Sequence, residues 1–143
     1  MIRSMLSVNN AATTTDIGIL ILRIGVGAFM LTHSYPRLLT LFSHETIEFR
    51  SVMGLSPVAS LSLAVFAEFL CSLLVIVGLG TRLAVVPLII TMLVAAFYVH
   101  GADPFAKQEK ALLFLTAYIT LLFTGSGRFS LDAMITREKR TDR

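Results

Sequence analysis

Five side chains able to hold a ligand or move a proton stand where apolar stretches stop. His33, Tyr35 and Arg37 fall together in "LTHSYPRL" (31–38), His100 ends "FYVHG" (97–101), and Glu109 lies in "KQEK" (107–110). Two further charges, Arg23 and Glu68, lie inside apolar stretches instead. Histidine exchanges protons near neutral pH, and a carboxylate beside it can orient a ligand or bind a cation. Three chemistries fit the first set. The two histidines could ligate a haem axially, which nothing in the spacing demands. His33, His100 and Glu109 could take a divalent metal. The set could instead hydrogen-bond a quinone-like or small anionic ligand, which fits best. Each residue also has a plainer reading as an interfacial anchor with an apolar body and a wet tip.

Those residues need scaffolding, and composition says of what kind. Of 143 residues, 55% are hydrophobic and 15% charged. Such a balance belongs to a chain whose solvent is lipid. A single cysteine, Cys71, excludes an internal disulfide and a multi-cysteine metal cluster. In mid-stretch it reads as a small buried hydrophobe. A net charge of +3 marks neither a nucleic-acid binder nor a trap for acidic ligands. There is no phosphate loop, no paired-cysteine redox motif and no serine-nucleophile motif. The first residues resemble a signal peptide in layout, but Arg23 and "THSYP" fit a retained transmembrane helix better.

Apolar runs fall at about 17–35, 57–79, 83–100 and 105–125. A spanning helix needs ~20 apolar residues, so the expected fold is all-α, an antiparallel bundle of four transmembrane helices in a single domain, 1–143. Ser56-Pro57 and Asp103-Pro104 read as N-cap and first-turn proline, while Gly78, Gly80 and "GSG" (125–127) read as stops. Pro36 predicts that the first helix ends near Tyr35. Ser43 is a candidate cap for a short surface helix in the 38–56 connection. Leu131, Met134 and Ile135 predict a short interfacial C-terminal helix, followed by a basic tail, 136–143.

Arg3, Arg82, Arg128, Arg137, Lys139, Arg140 and Arg143 fall on one side of the expected membrane. Arg37, Arg50, Lys107 and Lys110 fall on the other. The positive-inside rule then places both termini in the cytoplasm. A lone charge in a spanning helix costs ~2.5–3.5 kcal/mol. Helices 1 and 2 run antiparallel, so an Arg23–Glu68 pair is the expected solution, as a packing latch or as part of proton or ligand handling. Gly18, Gly25 and Gly27, with Ala64, Ala67 and Cys71, predict close helix approach around it.

The stretches "LILRIGVGAFMLTHSYPRLL", "FAEFLCSLLVIVGLGTRLA", "AAFYVHG" and "EKALLFLTAYITLLFTGSGRFSLDA" cover about 17–135. Together they resemble the DoxX family of small bacterial membrane proteins. The resemblance implies a four-helix inner-membrane protein and carries over to Arg23, His33, Glu68, His100 and Glu109. It carries over also to the signature residues Gly125, Gly127, Arg128, Ser130 and Asp132. It implies a link, in some members, to quinone-dependent sulfur or thiol oxidation and oxidative stress, with a soluble or membrane oxidoreductase subunit as partner. Ser34 and Arg37 depart from the family's usual glycine and lysine. The expected function is thus subunit or accessory of a quinone-linked membrane redox system; the alternative is a non-catalytic transport or scaffold protein with a polar core. A quinone is the candidate cofactor, and the lipid bilayer the expected partner. Read from the residues themselves, the signature is structural: Arg128 reaches lipid phosphates or the last carbonyls of helix 4, Ser130 caps the C-terminal helix, and Asp132 occupies its first turn.

Overall fold

A computed structural model describes the backbone of residues 12–43 and 46–141 and side chains as far as residue 136. Arg3 and the side chains of Arg137, Lys139, Arg140 and Arg143 lie outside the described residues. Those described are all helix, turn and irregular chain, with no strand among them. The helices are α1 (Ala12–Phe42), α2 (Pro57–Val77), α3 (Thr81–Val99), α4 (Phe105–Thr124) and α5 (Leu131–Thr141).

Most helix ends follow their sequence signals. The Ser56 hydroxyl accepts from the Ala59 N–H at 3.2 Å, with Pro57 in the first turn of α2. Gly78 takes φ +72° and closes α2, while Leu79 N–H donates to the Leu74 carbonyl at 3.0 Å. That six-to-one bond with a left-handed glycine is a Schellman ending. Three signals depart from expectation. Helix α4 opens at Phe105 with Pro104 itself at the N-cap and no side-chain cap bond, because the Asp103 carboxylate goes to His100 instead. Helix α1 does not stop at Tyr35 but runs through Pro36 to Phe42. Hydroxyls bond back onto this stretch: Thr32 to Phe29 O, Ser34 to Leu31 O and Thr40 to Pro36 O. Such bonds help a membrane helix tolerate proline. The Ser43 hydroxyl caps no helix among the described residues. It donates to the Thr40 carbonyl at 2.8 Å, and 46–56 is irregular chain with a turn near Met53-Gly54.

Three helices, α1, α2 and α3, are long and apolar enough to cross a membrane. Helix α4 has comparable length, 20 residues, with Lys107, Glu109 and Lys110 grouped near its start. Helix α1 packs on α2, α2 on α3 and α3 on α4, and α4 returns to α1. Between them lies a core that includes Met30, Val75, Leu88, Met92, Tyr118 and Leu121. The outward faces are as apolar as the core: Leu83 is 80% exposed, Phe123 77% and Phe29 69%. In water these surfaces would drive aggregation. In lipid they are the solvated face.

Both α2 and α3 contain a π-helical turn, Phe66–Leu70 and Val94–Val99. The five-residue step is visible in His100 N–H donating to Ala95 O at 3.0 Å, and in Cys71 N–H donating to Phe66 O. The turn in α2 is centred on Glu68. π turns occur often at functional positions.

Candidate functional site

Polar side chains gather at two ends of the helix assembly, and the two ends differ. At the first, Arg23 is buried, 1% exposed. Its partner is not Glu68. Its Nε donates to Val75 O at 2.9 Å, Nη2 to Ile76 O at 2.9 Å, and Nη1 to Phe129 O at 3.0 Å and to Ser126 O. The expected Arg23–Glu68 pair is corrected by this geometry. A helix end leaves carbonyls without intrahelical partners, and the planar five-donor guanidinium spans several at once. Gly78 makes room: a Cβ there would fall 2.7 Å from Arg23 Nη2 and 2.6 Å from Ser130 Cβ.

The 125–132 segment completes this end. Asp132 accepts from Gly80 N–H at 2.8 Å and Thr81 N–H at 3.3 Å, so it caps α3 as well as lying in the first turn of α5. Ser130 accepts from Ala133 N–H at 3.2 Å and donates to Gly127 O at 2.7 Å. Arg128 turns to Asp16, through its backbone N–H at 3.0 Å and its Nε at 3.9 Å. The carbonyl near the end of α4 is reached by Arg82 instead, Nη2 to Phe123 O at 3.2 Å. Gly125 and Gly127, at φ +75° and +71°, turn the chain back over α1 and α3.

At the other end Glu68, 1% exposed, pairs with Arg37. The long α1 brings Arg37 there, since 31 residues extend ~46 Å and outreach a ~30 Å hydrocarbon layer. Phe49 of the connection lies 5.8 Å from the Arg37 guanidinium carbon, a cation–π distance. The connection is held down by Val52 N–H to Ser60 Oγ at 3.1 Å and by Arg50 Nη1 to Val99 O at 2.9 Å.

The expected cluster of His33, Tyr35, Arg37, His100 and Glu109 does not assemble as one site. Arg37 belongs to Glu68. His100 pairs through Nδ1 with Asp103 at 2.8 Å, and Lys107 approaches the same carboxylate at 3.7 Å. The imidazole hydrogen bond holds the Asp103 carboxyl below its usual range. Gln108 fastens this turn by donating to His100 O and Asp103 O. Tyr35 and Glu109 are exposed. Among the described residues no three His, Cys, Asp or Glu side chains converge, so His33, His100 and Glu109 do not form a metal site.

His33 instead meets Lys110 of α4, Nζ to Nδ1 at 3.5 Å. An ammonium can only donate, so Nδ1 is the acceptor and Nε2 carries the proton. The pair forms one end of a groove of about 760 Å³ between α1 and α4. Thr32 joins them at this polar end, while Leu22, Val26, Phe29, Leu113 and Phe114 are among the apolar walls. Gly25 lies on its lining with nothing within 4 Å of where a Cβ would stand.

The DoxX family model matches residues 18–101, well over half of the chain. The chain belongs to the DoxX family. No curated protein and no solved structure matches it. The matched stretch of this DoxX chain contains Arg23, His33, Arg37, Glu68 and His100, and stops before Lys110. Both charged anchors of the helix assembly and one side of the groove therefore lie inside the matched region. The groove's other side comes from α4.

Sequence reasoning gave Lys110 no role beyond its side of the membrane and Asp103 none beyond a helix cap, and missed Asp16 and Tyr118. Asp103 had a signal, standing three residues after His100 and four before Lys107. Tyr118 had none, because an apolar helix hides which of its faces is inward.

Proposed function

We propose that this DoxX protein is a four-transmembrane bundle of the bacterial inner membrane with both termini cytoplasmic, and that it serves as subunit or accessory of a quinone-linked redox system. The observation that carries the ligand reading is the α1–α4 groove, apolar along its length and polar at one end. Its size lies inside the range of small-molecule sites. A quinone has matching chemistry, with an apolar tail and a ring bearing carbonyl acceptors. The donor set fits: His33 Nε2–H and the Lys110 ammonium can both donate to a carbonyl oxygen. When bound, a quinone supplies a carrier of two electrons and two protons, and its electrons would pass to or from a partner oxidoreductase. The chain's own residues would hold and orient the ring.

Protein purified from native membranes in mild detergent should carry quinone in its organic extract, and added short-chain quinone should raise its Tm by several degrees. Absence of both overturns the quinone reading. It would leave the scaffold alternative, which the Arg23 and Asp132 anchorages support in their own right.

A further inference from the structure

A second cavity, of about 320 Å³, opens at the Arg23 end and shares no residue with the α1–α4 groove. It forms where the turn between α2 and α3 meets the "GSG" turn after α4. Thr81, Arg82 and Leu83 line it from the start of α3, and Gly125 and Ser126 from the chain leaving α4.

The polar groups around it are not used up by one another. Arg82 is exposed, and its recorded bond is Nη2 to Phe123 O at 3.2 Å. Arg37, Lys107 and Arg128 each face a carboxylate, whereas Arg82 faces none among the described residues. Gly125 lets its guanidinium lie against the turn, since a Cβ there would fall 3.4 Å from Arg82 Nε. Thr81 is 1% exposed, and its Oγ1 has no hydrogen-bond partner. A buried hydroxyl without a partner is costly. Threonine in a helix divides between two χ1 rotamers, so this hydroxyl is an available donor at the cavity wall. Asp132 also lines the cavity, but its two oxygens already accept from Gly80 N–H and Thr81 N–H.

A guanidinium fork with donors to give matches the oxygens of a phosphate. What favours a lipid phosphate over a free ion stands beside the cavity. Leu83, on its lining, is 80% exposed, and Phe123, whose carbonyl holds Arg82, is 77% exposed. They are the two most exposed large apolar side chains among the described residues. In a bilayer such side chains meet acyl chains, so the cavity sits where hydrocarbon gives way to headgroups. Basic pockets between spanning helices at that level suit phospholipid headgroups.

We infer that this cavity holds the headgroup phosphate of a membrane phospholipid, bound by the Arg82 guanidinium and the Thr81 hydroxyl, with an acyl chain lying against Leu83 and Phe123. The site goes beyond the quinone reading and does not depend on it.

Delipidated protein in a maltoside detergent tests it by titration with dioctanoyl phosphatidylglycerol, with dioctanoylglycerol and with inorganic phosphate, Tm being followed from each protein's unliganded value. The phospholipid should raise Tm by several degrees and saturate. Dioctanoylglycerol, which lacks the phosphate, and inorganic phosphate, which lacks the chains, should not do so at the same concentration. Arg82→Gln should weaken the apparent affinity roughly tenfold and Thr81→Val roughly threefold, as expected for a charged and a neutral hydrogen bond. Arg82→Lys, which keeps the charge and loses the fork, should fall between wild type and Arg82→Gln, and it carries the test if Arg82→Gln does not fold. Equal affinity in wild type and the Arg82 variants overturns the site. An equal response to dioctanoylglycerol overturns the role of the phosphate, and an equal response to inorganic phosphate overturns the lipid as its source.

Discussion

Two arginines of one helix are used in opposite ways. Arg23 is sealed into the protein and spends its donors on four carbonyls, so that end of the assembly is a knot of backbone and guanidinium. Arg37 is a third exposed, meets a single carboxylate and stacks over Phe49 of an irregular connection. A charge saturated by carbonyls fixes geometry and has no further chemistry to offer. A charge paired with one titratable group can be separated from it. The end that holds His33, Lys110 and the polar mouth of the groove is therefore where the proposed ligand chemistry belongs, and the Arg23 end is its foundation.

The largest expected effect is at the foundation. Arg23→Leu leaves four carbonyls short of donors and should destabilise by ~3–5 kcal/mol in detergent unfolding, with Arg23→Lys recovering little because an ammonium cannot span them. A mild effect would remove the contrast between the ends. Next comes the pairing itself. Glu68→Gln should cost ~1–3 kcal/mol, and a double-mutant cycle with Arg37→Gln should return a coupling above ~1 kcal/mol. The same cycle between Glu68→Gln and Arg23→Leu should be additive within ~0.5 kcal/mol. Coupling of 23 with 68 and not of 37 with 68 would reverse the assignment.

Smaller is Asp132→Asn, which weakens the cap on α3 and should lower stability by ~0.5–1 kcal/mol. Smallest is the Asp103 turn. Its carboxyl titrates below the unfolded value, so its contribution is present above that value and fades as pH falls through the folded one. Asp103→Asn should therefore lower Tm slightly at neutral pH, converge on the wild type at acid pH and so flatten the acid limb of a Tm-versus-pH curve.

The difference between the two arginines also marks what could be read in advance. Helix ends were legible at Ser56-Pro57 and Gly78, where local chemistry decides them, but not at Asp103-Pro104, where the carboxylate turns to His100 and leaves α4 without a side-chain cap. Arg23 and Glu68 were correctly singled out as buried charges, but their partners were not legible. A guanidinium can be satisfied by carbonyls, which every residue has, so sequence carries no mark of it. Pro36 misled because nearby hydroxyls support a helix that proline alone would end. The π turn at Glu68 has no sequence signature here. Gly25 and Gly27 read alike yet act differently: a Cβ on Gly27 would collide with Ile76, whereas Gly25 opens onto the groove.

That glycine gives the most direct test of the central claim, that the groove between α1 and α4 is a ligand site. Gly25→Leu places a side chain into open groove space while sparing both arginine anchorages. Equilibrium binding of a short-chain quinone to wild type and Gly25→Leu, each with its unliganded Tm measured alongside, decides the matter. The expected result is affinity weakened at least tenfold with unliganded Tm unchanged. Equal affinity in the two proteins would contradict it.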